Sequence, residues 1–507
     1  MIISLSVLVI TIIVSGTYAL YKAQLSKNIG VNTTTHGLAY YINYVKGTDI
    51  TAATLNPSTS YEGGASSDIE FWKKDDSYDI YGKIELTVNT IGTNLSNSPA
   101  LKYAVVNNGN VLKEGSLKGT TSGSKVTILK NLYLEQTKQI YTVYVWLDNS
   151  EELGNISNES LSISVDCTAS LQKEPTAADT IISLYTSAAK VTATNNSITY
   201  NTAPSVSLMN DRLGGTTTSL DGGNIRYYGA SPNNYIYFNC SDYSNQTSST
   251  CETWRIIGVF DGKLKLIRGS QIGKYSWDNK NISTGAENNF GKNDWTTARL
   301  MKLLNPRDYY KVDSNDNNLG QSLYYNSASG KCYSGQNNAT VDCDFTSTGI
   351  KNDETRNMIA ETTYYLGGWN SYSVYPNEIY EYERGTTVYT GRPPTWPGKI
   401  ALAYPSDYGY AADLNQCKDK TLYDYDNSTC TSNNWMKAIL GTSSHGWLLT
   451  PRSGGSYNAW NVYSGGYVGS TNLAYYAIGA VPVLSLSSKL GIESGDGSSS
   501  NPYKLSA

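Results

Sequence analysis

Trp254-Arg-Ile-Ile-Gly-Val-Phe-Asp-Gly-Lys-Leu-Lys-Leu-Ile-Arg268 is the stretch on which the fold turns. Two apolar runs rich in β-branched residues flank Asp261-Gly262, a pair that supplies the positive backbone angles of a tight hairpin turn. The same grammar recurs upstream. Lys83-Ile-Glu-Leu-Thr-Val-Asn89, Tyr141-Thr-Val-Tyr-Val-Trp-Leu147 and Leu161 to Cys167 alternate polar and apolar, and Asn108-Gly109 divides Ala104-Val-Val-Asn from Asn-Val-Leu112. Strands with one face in and one face out predict an antiparallel β-sandwich over residues 24–170. Leu171-Gln-Lys-Glu-Pro-Thr176 reads as a linker, and a short helix over 177–189 extends it, so 171–204 is expected to join the sandwich to an α+β domain over 205–507. Helices are expected there from Asn293 or Asp294 through Leu304, over 353–366, and around Trp435 to Leu440. The fold class is mostly β.

Composition narrows the chemistry. The chain has 507 residues, with 39 Lys+Arg against 43 Asp+Glu, 43 Tyr, 45 Gly, 7 Cys and 2 His. A net charge of -4 with 16% charged side chains supplies no basic field, so nucleic acid is excluded as a partner. His36 and His445 stand far apart in sequence, which removes multi-histidine metal sites and leaves one histidine for any triad. Ser443 and Ser444 lie near His445 without an acid partner, so a packing or loop role is expected for it. Asp313-Ser-Asn-Asp-Asn-Asn318 begins like a calcium loop, but Asn318 stands for its Gly and Tyr324 for its terminal Glu. Asp75-Asp76-Ser-Tyr-Asp79 is no better, and no cofactor is expected.

The N-terminus and cysteines point to export. Met1 to Val14 is apolar and is followed by Ser15-Gly-Thr-Tyr-Ala19, which fits a signal peptide over 1–20 cleaved after Ala19, although no Lys or Arg precedes the run. An uncleaved anchor reaching Tyr21, with Lys22 as its flank, is the other reading. Six cysteines fall into close pairs, Cys240 with Cys251, Cys332 with Cys343 and Cys417 with Cys430. Each pair would staple a short polar loop, worth about 2 to 4 kcal/mol, though six cysteines allow 15 connectivities. No CxxC is present, against zinc. Cys167 is left over on the alternating face of Leu161, Ile163 and Val165, as a buried thiol.

The run Gly446-Trp-Leu-Leu-Thr-Pro-Arg-Ser-Gly-Gly-Ser-Tyr-Asn-Ala-Trp-Asn-Val-Tyr-Ser-Gly-Gly-Tyr-Val-Gly-Ser470 has a hairpin rhythm. Trp447, Trp460, Val462 and Val468 can face inward, while Tyr457, Asn458, Asn461, Tyr463, Tyr467, Asn472, Tyr475 and Tyr476 form a rim. Tyrosine offers rigid amphipathic area at low entropic cost, and Asn and Ser offer adaptable hydrogen bonds. Tyr457, Asn458, Trp460, Asn461, Tyr463, Tyr467, Asn472 and Tyr475 are therefore the candidate ligand-binding residues. The alternative is that these tyrosines merely cover an aqueous β-surface.

Trp254-Arg-Ile-Ile-Gly-Val, Asp294-Trp295, Lys399-Ile-Ala-Leu-Ala-Tyr-Pro-Ser-Asp-Tyr-Gly-Tyr-Ala411, Gly446 to Arg452, Val481-Pro-Val-Leu-Ser-Leu486 and Ser494 to Tyr503 together resemble a family of exported Gram-positive surface proteins. Their C-terminal module is similar to the C-type-lectin-like fold of formylglycine-generating enzymes and of variable ligand-binding proteins diversified by retroelements, a resemblance covering 205–507. Residues 1–170, with Ser15 to Ala19 and Tyr141 to Leu147, resemble camelysin-like and biofilm-fibre proteins, which are exported by a dedicated signal peptidase and assemble by strand exchange. Camelysin-type peptidase activity does not carry over, because no matching metal ligands are present. The resemblance implies an extracellular, cell-surface, non-enzymatic protein of the cell envelope that binds a carbohydrate, peptide or cell-surface ligand. Alternatives are a structural fibre or matrix subunit that self-assembles through its N-terminal domain, and a formylglycine-generating-type oxidase. The oxidase would use Cys417 and Cys430, whose polar flanks read instead as a disulfide-stapled loop.

Overall fold

A computed structural model of the protein describes residues 23–25, 41–51, 55–151, 153–156, 159–212, 223–281, 289–311 and 319–506. The expected export segment over 1–20 and the loop Asp313 to Asn318 lie outside the described residues. Strand accounts for 37% and helix for 16%, a mostly-β protein. The chain divides into two compact units, Met1–Glu174 and Pro175–Ala507.

In the first unit, alternation along each strand sends one set of side chains inward. Ile84, Leu86 and Val88 of Tyr81–Ile91 and Val143 and Val145 of Ile140–Asp148 are fully buried in one core. One sheet orders Ala23–Leu25, Leu161–Ser170, Tyr81–Ile91 and Lys125–Tyr133; the other orders Ile42–Val45, Ala65–Lys73, Ile140–Asp148, Leu101–Asn107 and Asn110–Ser116. These pairings are antiparallel; among the described residues of this unit only the two-residue strand Pro57–Ser58 runs parallel to its neighbour. Asn108 and Gly109 turn with φ 50° and 76°, as the hairpin requires. Cys167 is 1% exposed, a free thiol in the core, and burial pushes its pKa well up. Asp75, Asp76 and Asp79 each take a different partner, Ser77, Lys73 and Tyr133, so that stretch is a turn with no shared cation site.

The second unit is built on a nine-stranded antiparallel sheet in which Glu252–Phe260 and Lys263–Arg268 lie near the centre. Their hairpin turns at Asp261 and Gly262, with φ 48° and 70°. Much of the segment expected as linker, 171–204, is instead part of this unit. Ala177–Ser187 starts at a Thr176/Asp179 capping box and buries Ala177, Ala178, Ile181 and Tyr185 in the main core, and Val191–Asn195 and Ile198–Ala203 open the sheet. The helix expected over 353–366 stops at Met358, after which Thr362–Tyr365 pairs as a strand with Thr395–Gly398. The run Thr-Thr-Tyr-Tyr suits a pleated surface better than a helix. Asp294 caps a single turn, Trp295–Thr297, before the helix Arg299–Leu304, and the third expected helix covers Lys437–Leu440. Among the described residues, three α-helices of this unit were not expected, Pro376–Arg384, Pro405–Tyr410 and Ser428–Ser432.

All three cysteine pairs are disulfides: Cys240 with Cys251, Cys332 with Cys343 and Cys417 with Cys430. Three short-range disulfides mark a protein of an oxidising compartment. Cys417 and Cys430 are almost completely buried, so this bond is a staple inside the fold and not a thiol pair lining a groove.

Pro405–Tyr410 carries the main polar tie of the unit. Asp407, 1% exposed, pairs with Arg226 at 3.0 Å and with Lys265 on neighbouring strands, while Arg226 also pairs with Asp211. Burial alone would raise the Asp407 pKa, but Lys265 and Arg226 more than offset it and hold the carboxyl below its ordinary value. Beside it, buried Glu383 accepts from the Ser406 amide and hydroxyl, and burial pushes its pKa up to about 7.

Two outcomes follow from this network. Asp407→Ala strands the Lys265 ammonium without its partner and is expected to cost the second unit about 3 to 5 kcal/mol, read from the urea midpoint by tryptophan fluorescence. Glu383 binds its proton more tightly folded than unfolded, so its contribution is complete below pH 4.5 and is lost as pH rises through about 7. Glu383→Gln is therefore expected to exceed the parent in stability at pH 8, by up to about 3 kcal/mol, and to converge with it near pH 4.5; a constant difference across that range would contradict this.

Candidate functional site

The candidate run folds into three antiparallel strands, Gly446–Pro451, Asn458–Val462 and Val468–Leu473. One face of this sheet sends Trp447, Leu449 and Ala459 into the main core, and the other sends Leu448, Trp460, Val462 and Val468 into a second core. A sheet covered on both faces has no solvated side. Three candidate residues are consequently interior: Trp460 and Asn461 are 0% exposed and Asn458 is 7% exposed. Asn458 Nδ2 donates to the Thr471 carbonyl at 2.8 Å, whereas the Asn461 amide has no partner in the protein. These three side chains lie inside the fold and form no part of an exposed rim. The expectation of an exposed rim at Asn458 and Asn461 failed because alternation was read as one wet face, while other parts of the chain pack over both faces of this sheet.

The tyrosines remain at the surface, half-buried, at strand ends and turns. Tyr463 and Tyr467 flank the turn Ser464-Gly465-Gly466 and stack face to face, with centroids 4.4 Å apart and planes 9° apart. Gly466 has φ 102°, and its carbonyl accepts from the buried Tyr408 hydroxyl at 2.7 Å. A β-carbon there would meet Thr431 Cγ2 at 2.8 Å, so the turn needs glycine for both reasons. The Tyr463 hydroxyl donates to Asn472 Oδ1 at 3.1 Å.

The stack continues into parts of the chain distant in sequence. Tyr423, 47% exposed, meets Tyr467 edge-on at 5.6 Å, and Tyr372 lies 4.6 Å from Tyr423. His445 closes the other end, 5.0 Å from Tyr463. A second group forms around Phe290, which lies 5.1 Å from Tyr457 and 6.0 Å from Tyr475; exposed Tyr476 follows at 4.8 Å. The candidates thus fall into two aromatic groups. Burial raises the Tyr463 pKa, and Tyr476, Tyr372 and Tyr423 add to it; burial, Tyr463, Tyr423 and Asp426 raise that of Tyr467. These phenols stay neutral and present ring edges and O–H groups. Tyr372, Tyr423 and Phe290 were missed because they lie outside the Gly/Ser-punctuated run; the local tyrosine density of Leu422-Tyr-Asp-Tyr425 was the available signal.

His445 holds the turn. Its Nδ1 accepts from the Ser464 amide at 2.8 Å, and its carbonyl accepts from Gln271 Nε2. An imidazole engaged this way positions backbone. Among the described residues, no group of three or more His, Cys, Asp and Glu side chains is placed to hold a metal ion.

No family model matches the chain, and no curated protein matches it. Solved structures that match include a point mutant of HCR/D, at 11% identity and TM-score 0.15 over 50% of this chain and 76% of that one. Another is the receptor binding domain of botulinum neurotoxin mosaic serotype C/D, at 11% identity and TM-score 0.15 over 52% and 75%. A TM-score of 0.15 establishes no shared fold and carries no argument about function.

Burial, and then Lys274, lower the His445 pKa, so the folded state favours the neutral ring. The turn's anchor is complete above pH 6.5 and is lost as pH falls through the lowered value. Near-ultraviolet circular dichroism of the tyrosines is expected to change on acidification below pH 6.5, and His445→Gln to abolish that transition.

Proposed function

We propose that the protein is an exported cell-surface protein whose second unit binds an extracellular ligand through the tyrosine row Tyr372, Tyr423, Tyr467 and Tyr463. The row itself carries this reading: four rings in successive contact, partly exposed, on a turn fixed by Gly466, His445 and Tyr408. Preorganised aromatic area with hydroxyls at its edge suits a carbohydrate, a peptide or a partner's surface, because stacking supplies affinity and the O–H groups set orientation. The disulfides agree with life outside the cell. The C-type-lectin-like resemblance of 205–507 points to recognition, and the activity is binding without chemistry.

A structural fibre or matrix role is the second reading, favoured by the edge strand Asn110–Ser116, where Val111 and Leu112 are 43% and 37% exposed. An open edge of this kind is a template for strand addition, in keeping with the resemblance of residues 1–170 to biofilm-fibre proteins. Concentration-dependent light scattering separates a polymer former from a monomeric binder.

Glycan and cell-surface panels probed with the oxidised protein test the binding reading. Tyr423→Ala with Tyr467→Ala is expected to weaken binding at least about tenfold with stability changed by less than about 1 kcal/mol. Trp460→Ala is expected to cost about 3 to 5 kcal/mol through the core. Unchanged binding by the folded tyrosine variant would remove the row as the site.

A further inference from the structure

Arg255 differs from Arg226 and Arg268 in the groups that surround its guanidinium. It is 8% exposed on Glu252–Phe260, opposite Tyr235 of the neighbouring strand. Its guanidinium lies 3.7 Å from the Tyr235 ring centroid and 4.8 Å from that of Trp435. Nε donates to Asn234 Oδ1 and Nη2 to the Pro232 carbonyl at 3.3 Å. Both acceptors are neutral, and among the described residues no carboxylate pairs with the group. Arg226 pairs with Asp211 and Asp407, and Arg268 with Glu252; their pKa values are raised. Burial lowers that of Arg255 to about 10, opposed only by the Tyr235 hydroxyl.

A desolvated cation without a counter-charge is costly, and the remedy is an anion at its free edge. A guanidinium has five N–H donors in a rigid fork. Here Nε and one Nη2 hydrogen are used, and Nη1 has no protein partner yet is not sealed from solvent. The outer end, with two parallel N–H groups from Nη1 and Nη2, is therefore open. Aromatic contacts hold the guanidinium, so its fork is set before any ligand arrives, and the loop that supplies its two acceptors carries exposed Ser231 and Asn233.

We propose that Arg255, framed by Tyr235, Trp435 and the loop Ser231 to Asn234, is an oxyanion-binding site that takes a sulfate, phosphate or carboxylate group end-on. It is independent of the tyrosine row. Two N–H bonds to one oxyanion, strengthened by the poor solvation of the cation, give the geometric selectivity that a lysine lacks.

The test uses the wild-type full-length protein first. Phenylglyoxal labelling, mapped by mass spectrometry, is run in sodium sulfate, sodium phosphate, sodium acetate or sodium chloride at matched ionic strength. Labelling of Arg255 is expected to slow by at least about threefold in one or more of the three oxyanions relative to chloride, while exposed Arg307 is unaffected; which salts protect separates tetrahedral from carboxylate ligands. Calorimetric titration of the protecting anion is expected to give binding that Arg255→Lys weakens about tenfold and Arg255→Gln abolishes, with circular dichroism confirming that each variant folds. Equal labelling in all four salts, or parallel slowing at Arg255 and Arg307, is a general salt effect and overturns the proposal without touching the tyrosine row.

Discussion

The second unit depends on a carboxylate placed where water cannot reach it. Asp407 lies between Arg226 and Lys265, on strands that both border Glu252–Phe260, and joins the helix Pro405–Tyr410 to the central sheet. Without it Lys265 would be an uncompensated buried charge, and Arg226 would keep only Asp211. The register Arg226 to Gly258 to Lys265 brings two cations to opposite sides of one glycine, and Asp407 is the carboxylate that meets both. Asp407 also accepts from the Tyr404 amide, which starts its helix. One side chain thus specifies a helix start, a sheet contact and a charge balance.

That constraint orders the rest. The helix packs beside the second core, whose residues Tyr408, Leu448, Trp460 and Val462 cover one face of the three-stranded sheet; Trp447, Leu449 and Ala459 cover the other. With both faces taken, polar and aromatic side chains that must meet water are confined to turns and strand ends. The tyrosine row is a product of that confinement: Tyr463 and Tyr467 flank a turn whose backbone is held by Tyr408 from inside and His445 from outside. Rigidity beneath an exposed aromatic pair is what lets it present a defined surface.

Legibility in sequence followed the range of the interactions. The hairpins at Asn108-Gly109 and Asp261-Gly262 and the alternating strands of the first unit were readable, because turn chemistry and period-two burial act over a few residues. The disulfides were readable as close pairs, since short loops close at low entropic cost. The 353–366 helix was half right, because its Asn352 cap is local while the pairing of Thr362–Tyr365 with Thr395–Gly398 is not. Tyr463 and Tyr467 were legible as surface tyrosines and Trp460 as an inward ring, although it was also named as a ligand contact; Asn461 and Asn458 were misplaced on the rim, because burial of a second sheet face depends on what folds over it.

By itself the sequence determined a mostly-β chain, its principal turns, its cysteine pairs and the positions of its tyrosines, all written in backbone preference and short spacing. Tertiary structure alone decided which tyrosines meet: Tyr372, Tyr423 and Tyr467 come from three separate segments. It also decided that Asp407 finds two cations and that Arg255, among the described residues, finds no carboxylate. The physical reason is common to all three. Charge pairing, ring contact and desolvation depend on distance in space, and over separations of tens to hundreds of residues the chain's local rules do not set that distance.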